Sequence, residues 1–289
     1  MKRFGINIIF YFFITLLLLG CAGHSVKQGL LKSMIELDKR YIPALVFTDL
    51  EQQRESELAM DNLKREWSKF KEKYYNLEMR YGLNITDKFW KEDFDRIQGL
   101  IVSAEGYIKE ENLGAAHESL KEVRLIFLEL RHRNGLNYFL DPMTRFDNSM
   151  ESIVSLLRGK DKLSDKDLDN LQALAVEAKE SLDEAIAFNF EPDLYKYTPE
   201  KSEAIKKKLK DEREELQDFE KAVEEANSDM IFQTAQDLKP GFMVLYKSFG
   251  NFQSILDRAK QERKKKEAEE AKIKEKEESK NSQGGKNEN

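Results

Sequence analysis

The sequence predicts an all-α protein, an elongated helical bundle built from two related three-helix units with a connector helix. Three observations carry this reading. Charged residues make up 35% of the 289-residue chain, with only 5 prolines and 14 glycines, a helix-rich composition. Apolar residues recur at steps of three and four in at least six segments, the spacing of one helix face. No stretch alternates apolar and polar residues between turn signals, so no strand competes.

The first unit and the connector occupy residues 43–158. Pro43 opens a long helix that runs to Tyr81, with Leu63, Trp67, Phe70, Tyr74, Leu77 and Tyr81 on one heptad stripe, and Gly82 ends it as a C-cap residue does. Thr86 is the N-cap of the next helix, which carries Trp90, Phe94, Ile97, Ile101, Ala104 and Ile108 at the same spacing. A turn over Asn112–Gly114 leads to a third stripe of Ala116, Leu120, Val123, Phe127 and Leu130, which stops at Asn134-Gly135. Asp141-Pro142 reads as an N-cap followed by proline at the first helical position. It starts the connector, which carries Met143, Phe146, Met150, Ile153 and Leu157.

The second unit, residues 159–257, repeats this order with helices near Asp165–Asn189, Pro199–Ala226 and Ser228–Asp257. An offset of 115 maps Asn112 onto Asn227, Phe127 onto Phe242 and Gly135 onto Gly250 without a gap. It also maps Trp67 onto Leu182, Phe94 onto Leu209 and Leu130 onto Leu245. One seam position fails, where Ile97 meets Glu212. A shared asparagine turn and glycine stop at one offset across three helices point to an ancient duplication. Pro240 lies inside the last helix and is expected to kink it.

Residues 258–289 form a charged tail. It holds eleven basic and eight acidic residues, a net of +3, while the chain as a whole carries −6 and the body from Cys21 to Asp257 carries −11. Ile273 is its one large apolar residue, so the tail extends the last helix with almost nothing to bury, and its end, from Asn281, reads as disordered. The acidic body excludes a nucleic-acid-binding role, which needs a basic face.

The start of the chain carries a targeting signal. Lys2 and Arg3 precede an apolar run from Ile8 to Leu19, broken only by Thr15, the layout of a secretory signal peptide over residues 1–20. Cys21, the single cysteine, follows directly in Leu18-Leu19-Gly20-Cys21. This run resembles the lipobox of bacterial lipoproteins. The resemblance covers the first twenty-odd residues and implies cleavage before Cys21, a diacylglycerol on its sulfur and, usually, an acylated amino terminus. Several acyl chains give stable membrane attachment where one gives marginal attachment. Residues 21–42 then form the lipidated cysteine and a tether. Ala22 is not the aspartate that resembles inner-membrane retention, which favours the outer membrane facing the periplasm in a cell that has one.

Little marks a chemical site. His24 lies in the tether, and His117 and His132 are fifteen residues apart on one helix, about 22 Å along its axis, too far to share a metal. No Cys-x-x-Cys-His, no pair of histidines three or four apart and no glycine-rich phosphate loop occurs in the chain. The sharpest site reading is haem held between His117 and Met143 or Met150. Against it, the partner position of His117 is Phe232, a packing residue, and methionines at heptad spacing are core filler. Tyr74, Tyr75, Tyr81, Phe89 and Trp90 cluster at the first interhelical turn, as either packing or a partner patch. The sequence therefore implies no catalytic, metal or cofactor residue, and one modification site, Cys21. The expected role is non-enzymatic: a lipid-anchored structural, scaffolding or protein-binding component of the cell envelope, with another envelope protein or a cell-wall component as partner. The alternative is a periplasmic bundle that binds a small ligand, haem or a metal.

Overall fold

The structure, a computed structural model, describes the backbone of residues 4–78, 86–188 and 191–284, and within these spans the side chains of residues 26–274 other than Asp193. The helices are α1 (Phe4–Asp49), α2 (Gln53–Tyr74), α3 (Trp90–Lys109), α4 (Leu113–Arg133), α5 (Leu140–Leu157), α6 (Asp165–Ala187), the short α7 (Pro192–Tyr195), α8 (Pro199–Glu224), α9 (Ser228–Lys247) and α10 (Gln253–Gly284). Among the described residues there is no strand, and no helix is long and apolar enough to cross a membrane.

The stripes read from the sequence are the buried faces. Leu63, Trp67, Phe70 and Tyr74 of α2 meet Trp90, Phe94 and Ile97 of α3 and Phe127 of α4, all buried. Trp67 lies 5.3 Å from Phe94 and 6.0 Å from Phe127, ring to ring. Unit two has Ala175, Ala178 and Ala185 where unit one has Met60, Leu63 and Phe70. Its α6 and α8 therefore pack through small side chains.

The correspondence between the two units extends to backbone detail. Asn112 caps α4 by accepting from the Ala115 amide at 3.2 Å, and Asn227 caps α9 by accepting from the Met230 amide at 3.2 Å. The residue before each cap, Glu111 or Ala226, is left-handed, with φ of 57° and 49°. The amides of Asn112 and Asn227 donate to Tyr107 and Ala222 respectively, again 115 apart. The shared glycine serves two purposes. Gly135 takes a φ of +58°, whereas a Cβ on Gly250 would stand 3.0 Å from Ile42 and 2.4 Å from Phe252.

A fourth helix completes each three-helix unit. α1 packs on both α2 and α4, closing a ring of α1, α2, α3 and α4; the connector α5 packs on both α6 and α9 and closes the same ring in unit two. The connector thus stands in unit two where α1 stands in unit one. The units meet where α4 runs into α5 and where α1 touches α9. An aromatic knot of Phe139, Tyr195, Tyr197 and Phe249 fills that junction, with Phe139 and Phe249 rings 5.4 Å apart.

Several local expectations are corrected. Pro43 does not open a helix; it lies inside α1, where the Lys39 carbonyl, which loses its helical donor to the proline, accepts from the Asn251 amide instead. The chain breaks instead at Leu50–Gln52, with Glu51 left-handed at φ 51°. The segment read as a tether over residues 21–42 is helical throughout, and Leu30, Met34, Ile35, Leu37, Tyr41 and Ile42 are buried in the core. Asp141 does not cap α5, which begins at Leu140 without a side-chain cap. Thr86 donates to Glu78 rather than capping α3. Gly82 and Tyr81 lie outside the described residues. α9 runs unbroken through Pro240.

The tail also differs. α10 docks on α2: Ile255 and Ala259 are buried, Glu262 accepts from Arg54 at 2.6 Å, and Arg263 lies 2.9 Å from Glu55. From Arg263 to Lys274 every side chain is exposed, as the lack of apolar residues predicts. The helix continues to Gly284, past Asn281, where the composition predicts disorder; residues 285–289 lie outside the described set.

Candidate functional site

An open groove of about 1110 Å³ lies over the C-terminal end of α1, between α4 and α5, with Lys239 of α9 on one side. Its floor is ionic. Asp49, the last residue of α1, accepts from Lys239 at 3.1 Å and faces Nε2 of His117 at 3.7 Å. The His117 Nδ1 lies 3.1 Å from the Leu45 carbonyl, which only accepts, so Nδ1 carries the proton. Lys121 pairs with Glu151 of α5 at 2.5 Å and with Glu118 at 3.4 Å. Burial opposes the charge on Lys121, but the contacts with Glu151 and Glu118 prevail and raise its pKa. The rim is apolar and exposed: Tyr107, Leu125 and Val154.

Beneath the floor Arg124 donates to Asp147 of α5, both buried, and its guanidinium lies 5.8 Å from the Tyr246 ring centroid. A second network stands about two helical turns further along α4. Arg131 donates twice to Asp141, at 2.8 and 2.5 Å, and lies 4.4 Å above the Tyr138 ring. Tyr138 donates to Asp38 of α1 at 2.5 Å. Burial pushes the Asp38 carboxyl up to about 6, against the opposing pull of Arg131 and the Tyr138 hydroxyl.

The residues singled out from the sequence fall as follows. Cys21 lies in the helical backbone of α1, its side chain outside the described set. His117 lines the groove, as does Met150, while Met143 is fully buried in α5 and His132 is exposed. Among the described residues no group of three or more His, Cys, Asp or Glu side chains is placed to hold a metal. Of the aromatic cluster, Tyr74 and Trp90 are core residues. The Tyr74 hydroxyl donates to the Gly29 carbonyl at 2.8 Å, and Trp90 Nε1 donates to the Tyr74 carbonyl at 3.0 Å. Tyr75 is half-buried and donates to Asp95 at 2.9 Å, and Phe89 is exposed beside Lys88.

The groove and the two buried networks are not visible in the sequence, because the contacts that join their helices span 10 to 190 residues. One further feature was marked there: Glu212, the failed seam position, is buried. Comparison with protein-family models, curated proteins and solved structures finds no match.

Proposed function

We propose that this chain is a lipid-anchored cell-envelope protein with a scaffolding or protein-binding role, held at the membrane through Cys21, and that the groove at the far end of α1 is its partner surface. The observation that carries this reading is the relation between the two ends of α1. Cys21 heads the helix once the leader is removed, and Asp49 ends it in the groove floor, about 42 Å away at 1.5 Å per residue. A membrane-held Cys21 would therefore present the groove outward on a helix that is also a core element. In a diderm cell the outer membrane facing the periplasm is the favoured site.

The character of the groove supports a macromolecular partner. Small-ligand sites are enclosed and mostly apolar. This one is open, charged on its floor and rimmed by Tyr107, Leu125 and Val154, the mixture found at protein interfaces. The small-ligand alternative draws on His117 and Met150 lining the same groove; a Soret band in the purified protein would favour it.

A photo-crosslinking residue at Leu125 or Val154 tests the surface in living cells, with Val176 of α6, exposed outside the groove, as control. Adducts from the groove positions, lost on reversing the charge of Lys121, support the reading. Adducts from Val176 alone, or from none of the three, contradict it.

A further inference from the structure

Unit one places Ile97 and Leu100 on α3 and Ile126 on α4, all three in or against the apolar core. Unit two places Glu212 and Glu215 on α8 and Gly241 on α9 at the matching positions. Three apolar residues in one copy are thus two carboxyls and a glycine in the other. Glu212 is only 1% exposed. Its Oε1 and the Oε2 of Glu215 are buried and, among the described residues, accept no hydrogen bond. The Oε2 atoms of both residues lie within 2.6 Å of the point where a Cβ on Gly241 would stand. Both carboxyls therefore converge on the space that a side chain fills in unit one, and any residue larger than glycine would collide with them.

No cation reaches this space among the described residues. On α8, Arg213 is taken by Asp183 of α6 and by Glu220, and Lys208 reaches the Val244 carbonyl and the Ser248 hydroxyl. On α9, Lys239 is held by Asp49. On α5, which packs against α9, Arg145 pairs with Glu184 and Asp147 with Arg124. The remaining charges nearby, Asp211 and Asp237, are acidic. Two adjacent buried carboxylates without a counter-ion cannot both ionise cheaply, and such a pair retains a proton.

We propose that Glu212 and Glu215 hold one proton at neutral pH, that this proton keeps α9 seated on α8, and that its release in alkaline medium loosens α9. Burial first, and then the charge of Glu215, push Glu212 up to about 9. Burial, and then Asp237 and Asp211, also raise Glu215. The unfolded chain releases this proton near the ordinary glutamate value of 4.5, while the folded chain keeps it to about 9. The stabilising effect is therefore complete below 4.5 and is lost as pH rises toward 9. Within that window each pH unit lowers the folding constant about tenfold. The device stands behind the groove, because α9 also supplies Lys239 to it. It nevertheless holds whether or not the groove binds a protein.

The test is denaturant unfolding of the full chain in detergent, wild type against Glu212→Gln, at about pH 5.5, 7 and 8.5. Glutamine keeps the shape and does not titrate. The expected result is a ratio of wild-type to variant folding constants that falls about tenfold per unit, with Glu212→Ile, the unit-one residue, behaving as the glutamine variant does. A second measurement does not need the variants to fold: carbon-13 spectra of glutamate-labelled wild type should show one carboxyl still protonated at neutral pH. Parallel stability curves for wild type and Glu212→Gln, or a spectrum in which every glutamate carboxyl has ionised by about pH 6, would overturn the proposal.

Discussion

The Lys39 carbonyl accepts a hydrogen bond from the backbone amide of Asn251 at 2.9 Å. Lys39 lies four residues before Pro43, so its carbonyl has lost the donor that a helix normally supplies. Asn251, in the link between α9 and α10, takes that place and ties the end of unit two to the middle of α1. The bond is worth about 0.5–1.5 kcal/mol net, the usual contribution of an intramolecular hydrogen bond. The Asn251 amide, although in a link, is expected to exchange with solvent as slowly as the amides of α1. Exchange at the rate of an open loop would show that this junction does not hold.

The link between Asp38 and Tyr138 predicts a pH effect confined to acid. The folded state holds the Asp38 carboxyl at about 6 against an ordinary value of 3.8. Its contribution to stability is thus complete below 3.8 and is lost as pH rises to 6, with no further change above. Relative to Asp38→Asn, the wild type should lose about 1.4 kcal/mol per pH unit across that window. Denaturant midpoints of both proteins measure it, and a constant difference from acid to neutral pH would refute it.

Arg124 and Asp147 are both buried, so removing one partner leaves an uncompensated charge. Asp147→Ala is expected to destabilise by about 3–5 kcal/mol, while a joint replacement by Met and Leu is expected to be near neutral. A double-mutant cycle on the denaturant midpoint reads both. Additive losses would mean that the two charges are not coupled.

The tail has two parts with different energetics. The described side chains that truncation after Lys264 removes are all exposed, and it should leave the thermal midpoint unchanged. Truncation after Asp257 also removes Ala259 and the contacts of Glu262 and Arg263 with α2. The Arg54–Glu262 pair is solvent-facing and worth about 0.2–1 kcal/mol, and Arg263 is the cation that faces the buried Glu55, so a drop of a few degrees is expected. Equal midpoints for both truncations would show that α10 does not dock.

The helix faces were legible because burial in a bundle is written locally: Leu63, Trp67, Phe70 and Tyr74 recur at the helical period and are buried together. The correspondence of the two units was legible for the same reason, since the Asn112 and Asn227 caps are local signals. Punctuation was less reliable. Pro43 reads as a helix start, yet the Asn251 amide lets the helix run through it. Asp141 reads as a cap, yet Arg131, ten residues earlier on α4, draws its carboxylate inward. The four-helix rings were hidden, because nothing in the sequence of α1 or α5 says which unit each completes. The groove was hidden because it is a gap between elements, and its floor joins residues as distant as Asp49 and Lys239.

The central claim is that Cys21 anchors the molecule and that α1 carries the bundle outward from it. Mass spectrometry of the amino-terminal peptide, taken from protein extracted from membranes, tests this directly. The account predicts a peptide that begins at Cys21 and carries acyl chains on it. A peptide that still contains Leu19 and Gly20 ahead of an unmodified Cys21 would contradict it.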